Sequence, residues 1–352
     1  MYNHISRRYH NLELFTSPSS IFGSLIADVQ HARESIDMEY YIFANDRTGH
    51  LFTDILCRKA RQGVRVRLVV DGYGSRTMTR SMQSRLRSCG VEFTSHALMC
   101  RARNHRKITV VDRRVAHIGG VNIADRYVTG NGLGLWHDAQ LRIEGEGAAV
   151  DAIARLFDYD YMISEDVVCE VPMIYCGGRM QIIWSECRGG RAMEELLDDV
   201  VTSARESLIF TTPYFMPPRS VMRRLAEAVE RGVSVVLIVP ERCDVWLLDH
   251  VMRRHIAEAV AHGVDVRICR RAFVHSKLAI VDGRRVLIGS ANLDARSLRL
   301  NREVMAVTDD RGVVAAANRF VDGLSSLLRA PEAKDMRSRI PQFVCRWFEG
   351  VL

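Results

Sequence analysis

The chain has 352 residues, 47% of them hydrophobic and 26% charged, with a formal net charge of +7. That length suits two domains with a substantial core, and no apolar run approaches the roughly 20 residues a bilayer span requires. Nine cysteines, an odd number without a C-x-x-C pair or a secretory signal, argue against a disulfide framework or zinc module and for reduced, buried thiols in a cytoplasmic protein.

Ile21, Leu25, Ile26 and Val29 fall at helical spacing and predict an amphipathic helix over 20–33. An apolar run ending near Tyr41 to Phe43 follows as a strand. A second helix over 50–61 leads to Gly63, suited to a left-handed C-terminal turn, and then to the β-branched strand Val66 to Val70. Such nearly continuous apolar runs belong to strands covered on both faces of a parallel or mixed sheet. Lys107 to Val111 is the next strand, with a tight turn at Asp112 to Arg114 and a hairpin partner at Val115 to Ile118. The same succession returns in the second half. Helices over 190–204 (Met193, Leu196, Leu197, Val200) and 219–231 precede strands at Val233 to Val239 and Lys277 to Val281, a turn at Asp282 to Arg284 and a partner strand at Val286 to Ile288.

The correspondence extends to individual residues. His105, Lys107, Asp112, Gly119, Gly120 and Asn122 recur as His275, Lys277, Asp282, Gly289, Ser290 and Asn292, in the spacing H-x-K-x(4)-D-x(6)-G-[GS]-x-N. One H-x-K-x(4)-D match is weak, but two extended copies 170 positions apart exclude accident. Ala32-Arg33-Glu34-Ser35 likewise returns as Ala204-Arg205-Glu206-Ser207. A unit of roughly 170 residues has been duplicated head to tail. The expected division is 1–170, 171–330 and a tail over 331–352, with the junction near Pro172, Gly177 and Gly178 and the halves packed face to face.

The repeated side chains define a chemistry. A histidine titrates near neutrality and serves as nucleophile or acid. If both halves present their motif to one cleft, one imidazole attacks phosphorus while the other protonates the departing oxygen, and the duties exchange in the second step. Lys107 and Lys277 supply positive charge for phosphoryl oxygens, while Gly120, Asn122, Ser290 and Asn292 are candidate substrate-binding donors. That inventory needs no metal or other cofactor, and a lysine beside each histidine disfavours a cation. Asp112 and Asp282 read as structural, capping their own turn backbone. His10, His50, His96, His250 and His255 lack the motif context and read as ordinary surface or core residues.

These paired motifs resemble the phospholipase D superfamily over nearly the whole chain. The resemblance implies an α/β fold of two tandem sandwich domains, each a mixed sheet flanked by helices, related by a pseudo-two-fold, with one active site at their interface and a covalent phosphohistidine intermediate. It also implies that downstream carboxylates orient the histidines, matching Asp138 in Trp136-His137-Asp138 and Glu303 in Leu300-Asn301-Arg302-Glu303, and that His105 is the nucleophile and His275 the acid. Within the superfamily the chain is most similar to bacterial cardiolipin synthases, through Glu39-Tyr40-Tyr41-Ile42-Phe43, Asp71-Gly72-Tyr73-Gly74-Ser75 and Thr212-Pro213-Tyr214-Phe215-Met216-Pro217. Those enzymes join two phosphatidylglycerols and release glycerol.

The implied partner is thus an anionic phospholipid, with no obligatory nucleic acid, although hydrolytic phospholipases and nucleases use the same paired motif. The transmembrane pair common at the N-terminus of such synthases is not recognisable here. Attachment at the inner face of the cell membrane is then expected from basic surface and from the tail. There Phe343, Val344, Trp347, Phe348 and Val351 form one helical stripe among arginines, suited either to shallow insertion or to packing on its own domain. Tyr41, Phe43, Tyr214 and Phe215 sit at equivalent strand ends, where core packing and an acyl groove both suit aromatic rings.

Overall fold

The computed structural model describes residues 11–96, 102–145, 147–162, 174–177, 180–186, 191–338 and 340. Two large mixed sheets dominate. The first has seven strands in the order Asn11–Phe15, Gln140–Glu144, Val115–Gly119, Lys107–Val111, Ser35–Tyr40, Arg65–Asp71 and Glu92–His96. The second has nine, and its centre repeats that order with Asp265–Cys269, Ser234–Pro240, Ser207–Thr211, Leu278–Val281, Arg285–Gly289 and Glu303–Thr308. In each, the motif strand is antiparallel to its hairpin partner and to a central strand, which then pairs in parallel with the next. This is the expected α/β architecture of two tandem sandwich units.

Helices form where apolar spacing and capping agree. Pro18–His31 begins at Ser17, whose side chain accepts from the Ser20 amide, and buries Ile21, Leu25 and Val29. Arg47–Arg61 is capped by Asp46 and buries Phe52, Ile55 and Leu56. Ala192–Ser203 and Arg219–Glu230 take the matching places in the second half.

The sheets meet through one apolar layer. Ile108, Val110 and Ile118 of the first sheet share it with Ile280, Ile288 and Val304 of the second. Val150 and Ile153 from the Gly147–Met162 helix, and Val313 and Ala317 from the Arg311–Leu324 helix, complete it. Removing this much apolar surface from water from both sides at once fixes the halves against each other. Among the described residues Cys57, Cys89, Cys243 and Cys269 are free and buried, and no helix is long and apolar enough to cross a membrane.

Asp112 and Asp282 are structural, but they do not cap their own turns. The Asp112 carboxylate accepts from the backbone amides of Arg33, Glu34 and Ser35 at 2.7–3.1 Å. Asp282 does the same for Arg205, Glu206 and Ser207. Each aspartate therefore ties its motif hairpin to the start of the neighbouring central strand. Those amides hold both carboxyls below the usual aspartate range. As for the tail, the amphipathic stripe from Phe343 to Val351 lies outside the described residues. The segment before it docks on the second half, where Arg329 pairs with Asp335 and Met336 and Ile340 pack on the core.

Candidate active site

Strand periodicity places the motif side chains. In H-x-K the histidine and lysine are two residues apart and share one face of the chain, while the residue between them faces away. Arg106, fully buried, accordingly points into the interior, where it meets Asp160, Glu186 at 2.6 Å and the Ser185 carbonyl at 2.7 Å. Arg302 closes this network at 3.4 Å from Asp160 and 3.3 Å from Glu186. Breaking such a buried group from one side typically costs about 3–5 kcal/mol. The network therefore anchors the strand carrying His105 to the segment carrying Glu303.

The histidine-bearing segments are stitched across the pseudo-two-fold. The His105 amide donates to the Arg302 carbonyl at 3.0 Å, and the Arg302 amide to Arg103 at 2.9 Å. In mirror fashion the His275 amide donates to His137 at 2.8 Å, continuing the parallel pairing of Ala272–Val274 with Leu135–His137. Each histidine is thereby delivered to the other half's carboxylate. Nδ1 of His105 lies 3.0 and 3.1 Å from the Glu303 oxygens, and Nδ1 of His275 lies 2.6 Å from Asp138. A carboxylate at Nδ1 fixes the tautomer with its proton there and leaves Nε2 as the nitrogen available to a substrate.

Both histidines line a single cavity of about 1200 Å³. That exceeds the roughly 300–1000 Å³ of an ordinary small-molecule pocket. Tyr41 packs edge-on to His105 at 5.0 Å, while Trp136 and Tyr127 hold the His275 ring at 5.0 and 5.2 Å. The aromatic strand ends divide: Phe43 and Phe215 are wholly buried in the two cores, whereas Tyr41 and Tyr214 line the cavity.

Lys107 and Lys277 are buried and donate back to the carbonyls of His105 and His275 respectively, and Nζ of Lys277 stands 2.8 Å from Nδ1 and 3.1 Å from Nε2 of its histidine. Burial pushes His105 down to about 4, with Glu303 opposing and Lys107 assisting. Burial and then Lys277 push His275 down to about 3 against Asp138. Glu303 and Asp138 stay below the usual carboxylate range, because the neighbouring histidines and lysines outweigh their burial. Lys107 and Lys277 are buried beside the two imidazoles, where Glu303 and Asp138 offset their charge and Asp71, Asp244 and Asp294 add to that offset. A phosphodiester brought against the lysines favours their charged form further.

The depression of Lys277 is measurable. Burial holds Lys277 down to about 8, and a bound anion returns it toward the ordinary lysine range of about 10.4. Below about 8 the lysine is already charged and affinity for a dialkyl phosphate, whose own charge is constant, should be flat. Above it, binding must take up a proton, so affinity should fall by up to about tenfold per pH unit. Calorimetric titration with dimethyl phosphate between pH 6 and 10 checks this. Loss of the break in Lys277→Met supports the assignment, and a flat profile through pH 9.5 contradicts it.

The other expected donors are spent within the protein. Gly120 does not offer its amide to a ligand; it donates to the Ala139 carbonyl at 3.3 Å. Its contribution is space, since a Cβ there would sit 2.3 Å from Asp138 Oδ1. Ser290, at the equivalent position, donates to Glu303 at 2.5 Å. Gly119 and Gly289 admit the carbonyls of Ala139 and Val304, at 2.4 and 2.1 Å from a would-be Cβ. Asn122 donates to the Tyr127 hydroxyl at 2.6 Å and accepts from the Ile42 amide at 2.9 Å. Asn292 lines the cavity, and its Oδ1 has no hydrogen-bond partner. Among the described residues no group of three or more His, Cys, Asp or Glu is arranged to hold a cation.

Several cavity residues lie outside the motif reading. Arg103 and Arg296 stand beside Tyr41 and Tyr73 near His105, and Arg126 stands over Trp136 and Tyr127 near His275. Arg126 and Arg296 are related by the same offset of 170 as the histidines, each four residues beyond its motif asparagine. The repeat thus contained the signal.

Comparison with known proteins agrees with this architecture. The family described as "Cardiolipin synthase, PLD-like domain" matches residues 25–161 and 197–324. A probable cardiolipin synthase, YwiE, of Bacillus subtilis (strain 168) is 29% identical over 97% of this chain and 72% of its own length. The cardiolipin synthase of Geobacillus kaustophilus (strain HTA426) is 34% identical over 83% of this chain, but the alignment spans only 62% of that protein. In fold, the crystal structure of a phosphatidylserine synthase from Haemophilus influenzae Rd KW20 superposes with a TM-score of 0.75 at 15% identity, covering 96% of this chain and 92% of that one.

Proposed function

Because the chain belongs to the phospholipase D-like cardiolipin synthase family, we propose that it is a transphosphatidylase that converts two phosphatidylglycerols into cardiolipin and glycerol. The observation that carries this reading is the pair of histidines on one cavity, each with Nδ1 against the opposite half's carboxylate.

In the proposed reaction Nε2 of His105 attacks the donor phosphorus, and the bond from phosphorus to the glycerol oxygen breaks. His275, carrying a proton on Nε2, delivers it to that oxygen and glycerol leaves. The phosphatidyl group remains on His105. The neutral His275 then takes the proton from a hydroxyl of the second phosphatidylglycerol, whose oxygen displaces His105 and completes cardiolipin. Lys107 and Lys277 hold the non-bridging oxygens throughout. Glu303 and Asp138 keep the rings oriented and stabilise each imidazolium as it forms. The phosphate anion opposes the burial that lowers His275, so that it carries a proton when the substrate is bound.

We place the work at the inner face of the cell membrane, by peripheral contact. The net charge of +7 attracts anionic lipid. Trp246, 69% exposed beside the cavity residue Val245, is the kind of ring that settles at a headgroup boundary.

The test is incubation of the purified chain with phosphatidylglycerol vesicles. The expected products are cardiolipin and glycerol in equal amounts. Phosphatidic acid as the only lipid product, or cleavage of DNA alone, rejects the synthase reading.

A further inference from the structure

Transfer to a lipid alcohol must outrun transfer to water, and a lipid acceptor differs from water in bringing a second phosphate. We propose that Arg126 is the binding residue for that phosphate, so that it selects a phosphate-bearing alcohol as acceptor. The inference rests on the phosphatidyl-transfer reading with His105 as nucleophile.

In-line displacement supplies the direction. The group that leaves and the alcohol that later attacks occupy the same side of phosphorus, opposite His105, where His275 exchanges the proton. An acceptor hydroxyl beside His275 carries its own phosphate one glycerol unit farther along the cavity. Arg126 stands on the His275 side of the cavity. Its guanidinium lies 5.1 Å over the Trp136 ring and 5.6 Å over the Tyr127 ring, and those rings stand 5.0 and 5.2 Å from the His275 ring. Arg126 lines the cavity, and its buried Nε has no hydrogen-bond partner.

The guanidinium has Tyr127 and the Asp244 carboxylate acting on it, but its unpartnered Nε is costly in a protein interior and is relieved by an anion presented from the cavity. The two rings restrict the guanidinium, so little side-chain freedom is lost when an anion arrives. A cavity of about 1200 Å³ accommodates both headgroups.

Arg296 provides the matched comparison. It is the pseudo-symmetric counterpart of Arg126, but it lies beside Tyr41 and Arg103 on the His105 side, away from the incoming alcohol. The donor's departing glycerol bears no phosphate, so Arg126 acts in the second displacement alone.

The experiment measures partition of the covalent intermediate. Wild type, Arg126→Gln and Arg296→Gln are each given phosphatidylglycerol vesicles, and the ratio of cardiolipin to phosphatidic acid is recorded. A ratio within one sample is independent of how much of each variant is folded. Arg126→Gln is expected to lower it by about tenfold or more, as loss of a charged hydrogen bond does, while Arg296→Gln leaves it within about twofold. Equal ratios in wild type and Arg126→Gln overturn the assignment, as does an equal or larger fall in Arg296→Gln. If wild type forms no cardiolipin, it is the transfer reading that fails instead.

Discussion

Replacing His105 by Asn is expected to lower turnover of phosphatidylglycerol by about five to six powers of ten, the magnitude that accompanies loss of a nucleophile whose partners act as a unit. Asparagine at this position has no nitrogen basic enough to attack phosphorus. His275 does not substitute, because Asp138 holds its Nδ1 at 2.6 Å and commits it to the opposite side of the phosphorus. What survives is the positioning and charge of Lys107 and Lys277, which stabilise developing charge without forming the covalent bond. The aspartate-to-amide clamp between Asp112 and the 33–35 backbone is untouched, so the variant should fold and still bind a dialkyl phosphate. Measuring cardiolipin formation beside dimethyl phosphate affinity checks both statements. Activity within a hundredfold of wild type contradicts the assignment of His105.

The second large effect belongs to Glu303, which lies 198 residues from the histidine it serves. Glu303→Gln is expected to cost about three to four powers of ten in kcat, comparable to disabling the carboxylate of a catalytic triad. The amide is neutral, so it no longer stabilises the imidazolium-like charge on His105. It also accepts through one atom only, and Ser290 competes for that acceptor at 2.5 Å. Buried Lys107 loses a charge that opposes its own desolvation. KM should change far less, since Glu303 faces the ring and not the substrate. Steady-state kinetics on mixed micelles separates the two parameters, and a loss confined to KM rules out the orienting role.

These two effects mark what the sequence conceals. Duplication, the order of strands and helices, and the membership of the motif were readable because each rests on local spacing: alternate residues along a strand, apolar positions on a helix, glycines at turns. The α/β fold of two tandem units followed from them.

The crossing of the carboxylates was not readable. His105 pairs with Glu303 and His275 with Asp138 because backbone hydrogen bonds tie 103–105 to 302 and 275–276 to 137, and no periodicity within one half records a bond to the other. For the same reason the close approach of Asp138 to Gly120, and the brace that Ser290 gives Glu303, leave no mark in the spacing of either half. The sequence offers Asp112 a local turn partner only. Its true partners, Arg33 to Ser35, were conspicuous as a repeated tetrad with no stated purpose. Arg126 and Arg296 share the repeat's offset of 170, although neither belongs to the motif.

The central claim is that two histidines from opposite halves act on one phosphorus in different roles. A donor lipid with p-nitrophenol as its leaving group tests this, since p-nitrophenolate departs without a proton and makes the acid dispensable in the first step only. On mixing His275→Asn with this donor, the account requires a burst of about one equivalent of p-nitrophenolate, in line with a covalent intermediate that accumulates, followed by a stalled second step and a phosphatidyl label recovered on His105. His105→Asn should give no burst. A label on His275 in the wild-type protein, or a burst that persists in His105→Asn, contradicts it.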